Sequence, residues 1–435
     1  MSPQIVPEFS PISQALCIFC ILLVPLALAG IALINTGLGR SRSSAHAMMS
    51  SLCVASVAAI VYCVCGFHWQ GFPGQPAHVF TLAGKSWDWL GGGRFFLGGI
   101  VWNGSPVSLA VCLQLFSVGL AAVIPLGAGT DRWKLGASCV STVLLAGWIY
   151  PLFAHWVWGG GWLAQLGTNF GLGRGFLDAG GSSTIQIIGG LSGLSIAWLV
   201  GPRRGKYSSN GMPAAIPGHN AVFILFGCLL SFVGWLGLNS AGAMLFGETL
   251  PEKIVLIAIN TLLSAASAAL VTAIITQMRF GKPDASLTAN GWIGGLVASS
   301  AACAFTHPAE AIIIGIIAGA LVTVSVQWLE FNLKVDDPTG AVSVHGIAGV
   351  WGIVAAGLFA RFSTRLPGQF IAQLVGVATI LGFIFPLTYG LNALANRFYP
   401  YRVSVDGERQ GMDLHELGAD AYPEFVTHSD EYSQR

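Results

Sequence analysis

Ile254-Val-Leu-Ile-Ala-Ile-Asn-Thr-Leu-Leu-Ser-Ala-Ala-Ser-Ala-Ala-Leu-Val-Thr-Ala-Ile-Ile-Thr-Gln-Met278 carries no charged side chain, and it is bracketed by Lys253 and Arg279. About 20 predominantly apolar residues in a helix cross the hydrocarbon core of a bilayer, so this stretch reads as a transmembrane helix. Working outward, comparable segments precede it at Ile12 to Ile34, His46 to Gly66, Pro106 to Gly127, Leu135 to Ala154, Ser183 to Val200 and His219 to Asn239. Four more follow, at Gly291 to Phe305, Ala309 to Leu329, Ala341 to Ala360 and Ile371 to Ala395. The reading is an all-α integral membrane protein of eleven transmembrane helices: a membrane domain over 1–395 and a polar tail over 396–435.

Composition agrees. Charged residues make up 9% of the 435 and hydrophobic residues 54%, with a mean hydropathy of +0.69; a soluble domain carries about 25% charged residues. The 57 glycines, set within apolar runs, let membrane helices approach closely. A net charge of +1 suggests no nucleic-acid or polyanionic partner. All nine cysteines lie in apolar stretches; Cys17-x-x-Cys20 has redox spacing but no partner pair, and reads as packing. The N-terminus has Glu8 as its only charge, which is not the pattern of a cleaved signal peptide. No nucleophile–base pair, phosphate loop or zinc spacing appears, so no enzyme, metal or cofactor is expected.

Basic residues choose the sides. Arg40, Arg42, Arg132, Lys134, Arg203, Arg204, Lys206, Arg279, Lys282 and Lys334 occupy alternate loops, against Lys85, Arg94, Arg174, Lys253, Arg361 and Arg365 on the other side. The positive-inside rule places the N-terminus outside and the tail in the cytosol. The loop from Phe67 to Ser105, rich in glycine and aromatics, is placed to cover the outer mouth.

Two segments echo one another. Asp178-Ala-Gly-Gly-Ser-Ser-Thr-Ile-Gln186 and Asp337-Pro-Thr-Gly-Ala-Val-Ser-Val-His345 each set a polar residue eight positions after an aspartate. Glycines follow at the same offsets, Gly190 and Gly193, then Gly349 and Gly352. The segments open spans five and ten, so the second copy crosses inverted, as in transporters built from inverted repeats, here spans 1–5 and 6–10. His345, an ionisable residue inside a span, is a functional candidate by default. Gln186 at the matching position can donate and accept hydrogen bonds but cannot take up a proton. Facing each other, the two would form a small polar waist. Asp178 and Asp337 precede helix starts, where capping and attraction of a cation are both open, with capping the first choice. Trp158 closes span four and reads either as an interfacial anchor, the first choice, or as a π-face for a cation.

With these residues in view, the sequence resembles the ammonium transporter family (Amt/MEP/Rh) over nearly its whole length. The resemblance rests on Ala154-His-Trp-Val-Trp-Gly-Gly-Gly161, on Asp178 to Gln186, on Gly201-Pro-Arg-Arg-Gly205 and on Gly234-Trp-Leu-Gly-Leu-Asn239. Asp336-Asp-Pro338 leading to His345-Gly-Ile-Ala-Gly349 also matches, as does the tail segment from Gly411 to Tyr422. It implies a homotrimer in the plasma membrane, each protomer with its own narrow pore for ammonium or ammonia, and a PII-type regulator at the cytosolic face. It implies that Trp158 belongs to an outer aromatic cage, that Asp178 is the family's essential aspartate, and that His345 is the second of two pore histidines.

The chain departs from the pattern at the pore. Gln186 stands for the first histidine, Leu238 for the inner gate phenylalanine, Gly242 for a recruiting hydroxyl, and Gly340 for an aspartate before the second histidine. Leu417 and Ala419 replace a His and a Glu of the tail motif, and Phe116 aligns as the outer gate phenylalanine. Three readings follow: an ammonium or ammonia channel with His345 as its one proton-handling group, an ammonium sensor with little flux, or a channel for another small solute.

Overall fold

The computed structural model describes residues 9–362 and 367–423; Glu8, Arg365, Glu424, Asp430 and Glu431 lie outside the described residues. Within them, ten helices are long and apolar enough to cross a membrane. They are α1 (Pro11–Leu38), α2 (Ser41–Gln70), α3 (Pro106–Gly129), α4 (Leu135–Trp158), α5 (Ser182–Val200), α6 (Ala221–Phe246), α7 (Pro251–Phe280), α9 (Pro308–Asn332), α10 (Val342–Phe359) and α11 (Gln369–Phe398). The eighth expected segment is realised as a shorter helix, α8 (Ala285–Ser300). It starts six residues before Gly291 because Asp284 caps it, Oδ1 accepting from Leu287 N at 2.8 Å, and it stops at Ser300. The apolar pattern alone does not register that cap.

The all-helical expectation needs one amendment. Within the outer loop, β1 (Ala77–Leu82) and β2 (Lys85–Gly91) form an antiparallel hairpin with Ala77 opposite Gly91. The end of α4 pins it: His155 Nε2 lies 2.9 Å from Asp88 Oδ1, and Trp156 Nε1 donates to Trp89 O at 2.8 Å.

Four of the basic loops and the tail gather at one end of the bundle. Arg203 makes a two-pronged contact with Asp336 (Nε–Oδ2 3.0 Å, Nη2–Oδ1 3.0 Å) and reaches Asp131 Oδ2 at 3.1 Å. Arg132, fully buried, donates to Gly201 O and Asp336 O. Burial alone would lower Arg203, but Asp336 and Asp131 hold it above its usual value. Burial would likewise raise Asp336, yet Arg132 and Arg203 keep it below the carboxylate range. The tail folds back onto this end through α12 (Val405–Gln410) and the turn after it. Asp413 accepts from the backbone N–H groups of Ala45 and His46, capping α2. Glu416 meets His46 Nε2 and Leu135 N, both at 2.8 Å, and Glu408 meets Arg402 and Arg204 N. The tail thus ties together the loops after α1, α3 and α5.

Helices α1 and α6 pack backbone to backbone; a Cβ on Gly234 would stand 2.1 Å from Ala27 N. Helices α5 and α10 do the same where Gly190 meets Gly346, a Cβ on Gly190 falling 2.3 Å from Gly346 N. No side chain can relieve that contact, because backbone faces backbone. Gly190→Ala is therefore expected to push α5 from α10 and destabilise the purified protein by roughly 1–3 kcal/mol or more. An unchanged melting temperature in detergent would contradict the crossing.

Candidate functional site

The crossing of α5 and α10 sets the site. Both helices begin with a widened i→i+5 turn, Ser182–Ile187 in α5 and Val342–Ile347 in α10, a local geometry common at functional positions. Gln186 and His345 sit inside these two turns. His345 Nδ1 lies 2.7 Å from Gln186 Oε1, with Gln186 fully buried and His345 5% exposed. The Gln186 amide nitrogen is buried without a protein partner. Beside His345 lies a void of about 10 Å3, lined by Ile31, Ile34, Asn290, Ile293 and Thr339 among others. That is the size of one water-like molecule. Thr339 Oγ1, also on this lining, is buried and unpartnered.

Asp178 lies above α5 in chain order. Its Oδ1 accepts from Gly181 N and Ser182 N at 2.9 and 2.8 Å. Its Oδ2 accepts from Ser183 N, Ser183 Oγ, Thr184 N and Thr184 Oγ1 at 2.6–3.2 Å. Six donors saturate a carboxylate's roughly four lone-pair sites, so this group is committed to holding the start of α5. Asp337 has a lighter load: Oδ2 accepts from Val342 N at 2.7 Å, while Oδ1 is buried and unpartnered.

Trp158 is joined to the same turn. Its indole N–H donates to Asp178 O at 2.6 Å, and its ring stacks on Phe246 at 4.5 Å between centroids and 9° between planes. At 4% exposure it is a buried ring with one face covered, which an interfacial anchor would not be. Phe246 in turn lies 6.3 Å from Phe72. Reading α6 as ending at Asn239 left Phe246 unseen; the helix runs seven residues further, and Phe246 falls seven residues, two turns, after Asn239. Asn239 itself is fully buried, with Nδ2 donating to Thr261 Oγ1 at 3.0 Å and Oδ1 unpartnered. Its polar amide in an apolar span was the signal available.

Two of the departures stand where a side chain would be crowded. A Cβ on Gly242 would sit 2.4 Å from Ala179 O, so a serine does not fit unless the turn before α5 moves. Gly340 has φ +71°, a conformation that strains a side chain, and a Cβ there would meet Asn290 Nδ2 at 2.6 Å, so an aspartate here would be strained and would have to displace the Asn290 amide. Leu238 is buried. Phe116 is half-buried against the core and forms none of the ring–ring contacts found among the described residues. The structure therefore brings together Gln186 with His345, and Asp178 with Trp158 and Gly242; it does not bring Phe116 into the aromatic stack.

Asp178→Asn turns one arm of this fork into a donor facing backbone N–H groups. The expected result is a loss of at least about 2 kcal/mol of stability, read as a lower melting temperature, together with loss of any activity that needs the α5 turn. An unchanged melting temperature would show that the fork does not hold the turn.

A family model described as Ammonium Transporter Family matches residues 15–422. The chain is 34% identical over 443 aligned positions to the ammonium transporter Amt2 of Archaeoglobus fulgidus, covering 97% of this chain and 90% of that one. It is 32% identical over 419 positions to the ammonium transporter of Bacillus subtilis, covering 94% and 98%. Among solved structures, a sensor Amt protein superposes with a TM-score of 0.83 at 26% identity, over 93% of this chain and 97% of that one. Candida albicans Mep2 superposes with a TM-score of 0.77 at 23% identity, over 92% and 87%, a likeness of fold.

Proposed function

This chain belongs to the ammonium transporter family, and we propose that it carries ammonium nitrogen across the bilayer as neutral ammonia, past a waist formed by Gln186 and His345. The observation that carries the reading is the buried His345–Gln186 contact with a free amide N–H beside it. With His345 Nδ1–H donating to Gln186 Oε1, the pair offers a donor, the Gln186 amide N–H, and an acceptor, His345 Nε2. Ammonia has one lone pair and three N–H groups, so it can accept from the first and donate to the second. An ammonium ion has no lone pair, and stripping its water in an apolar tube costs several kcal/mol or more. Gln186 cannot bind a proton. It therefore breaks the acid–base relay that two histidines would form, and the proton stays on the side of entry.

The short α8 is the eighth of eleven spans, and spans 1–5 and 6–10 are inverted copies whose first members, α1 and α6, and last members, α5 and α10, pack on each other. The protein is a homotrimer of the plasma membrane with its N-terminus outside. The end that gathers Arg132, Arg203 and the tail faces the cytosol and is where a PII-type regulator would dock. Trp158 and Phe246 form the outer recruiting surface, and Leu238 and Phe116 belong to the pore further along. One solved structure of the same fold is a sensor Amt protein, but the curated relatives named above, matched over more than nine-tenths of this chain, are ammonium transporters, and transport is favoured over the sensor and other-solute readings.

His345→Ala is expected to remove the acceptor and reduce methylammonium or ammonium uptake into proteoliposomes at least tenfold; unchanged uptake would sink the assignment. Gln186→His is expected to raise ammonium selectivity over potassium by restoring a second proton-binding group. Selectivity that does not move would show that the waist does not set it.

A further inference from the structure

A second polar cavity, of about 130 Å3, lies at the end of the bundle where the basic loops meet. It sits across the 337–343 segment from the void beside His345, between the C-terminal end of α9 and the loop after α5. Its charged lining consists of two cations, Arg203 and Lys206, and three carboxylates, Glu330, Asp336 and Asp337. Arg203 is committed to Asp336 and Asp131, and Lys206 pairs with Glu330 and also donates to Ala214 O. Asp337 makes no ion pair among the described residues, and its Oδ1 is buried without a partner. Ser343, fully buried, lines the same cavity with an unpartnered hydroxyl.

Asp337 is thus the one carboxylate of this lining without an ion-pair partner, the further buried cation Arg132 being paired with Asp336, and the unpartnered Ser343 hydroxyl lies on the same lining. An uncompensated buried carboxylate is costly, and the room is enough for a small ion with its remaining waters. We infer that this cavity is a monovalent-cation site, with Asp337 Oδ1 and Ser343 Oγ as ligands and ammonium at the inner end of the pathway as its occupant. The identity of the occupant rests on the transport reading; the existence of the site does not. Two other charged or titratable groups approach from neighbouring elements: Arg132, whose charge favours the ionised Asp337, and Tyr207, which faces Asp336 and Glu330. Burial pushes the Asp337 carboxyl up to about 6. Its charge is present above that pH and is lost as the pH falls through it, so occupancy falls in the same direction.

The two halves of the echo therefore have different capacities. Asp178 has spent its lone pairs on the α5 turn, whereas Asp337 holds α10 with one oxygen and keeps the other.

The test is anomalous scattering from crystals of the full chain soaked in rubidium, a cation close to ammonium in size, and then back-soaked in ammonium. The expected result is a rubidium peak between Asp337 Oδ1 and Ser343 Oγ that ammonium displaces and that weakens on acidification below pH 6. Asp337→Asn keeps an oxygen for Val342 N–H, so α10 stays capped, and it should lower occupancy at a given rubidium concentration by roughly tenfold or more. Ser343→Ala breaks no hydrogen bond within the protein and should weaken the peak by less. No peak in the unmodified protein, or one indifferent to Asp337→Asn, overturns the site. A peak that excess ammonium does not displace overturns ammonium as the occupant. Since binding is read without flux, failure here is separable from failure of transport.

Discussion

The contact on which the site depends is the bare crossing of two backbones, Gly190 against Gly346. Helices normally meet through side chains at 8–10 Å between axes; glycines permit a much closer approach. Only at that distance can Gln186 and His345, each inside a widened first turn, share a 2.7 Å hydrogen bond. Lipid offers no hydrophobic drive for helix association, so packing and internal hydrogen bonds must hold the crossing. The two aspartates that cap α5 and α10 contribute by fixing where each helix starts.

That arrangement produces an asymmetric waist. A histidine pair has two proton-binding rings, while Gln186 and His345 have one. The amide supplies a donor and an acceptor at fixed geometry and no acid–base chemistry. On the proposed reading, the consequence is selection by hydrogen-bond pattern and by desolvation, with the charge of the ion left behind. Outside the waist, one face of Trp158 is covered by Phe246, and the backbone of the α5 turn occupies the space a Gly242 side chain would need.

Much of this was legible in the residues. Spanning helices follow from uncharged runs such as Ile254 to Met278, and the Asp178/Asp337 echo pointed to the pair that meets. The limits that moved are those where local capping or polar residues compete with hydropathy: α8 begins at a cap formed by Asp284, and α6 continues through Asn239-Ser240 because those side chains are buried within the bundle. The hairpin at Ala77–Gly91 was hidden in a loop whose aromatics suggested only a cover. Steric reasons for Gly242 and Gly340 could not be read at all, since they depend on Ala179 O and Asn290, residues distant in sequence. The tail's motif was visible, but its clamp on His46, Leu135 and Arg204 requires three separate loops to be in place.

The central claim is that nitrogen crosses the waist without its proton. It is tested most directly by measuring charge movement, luminal pH and nitrogen uptake together in proteoliposomes containing only this protein, under an inward ammonium gradient. The account predicts saturable nitrogen uptake with alkalinisation of the lumen and much less than one charge per nitrogen. One charge per nitrogen, with a luminal pH that does not rise, would contradict it.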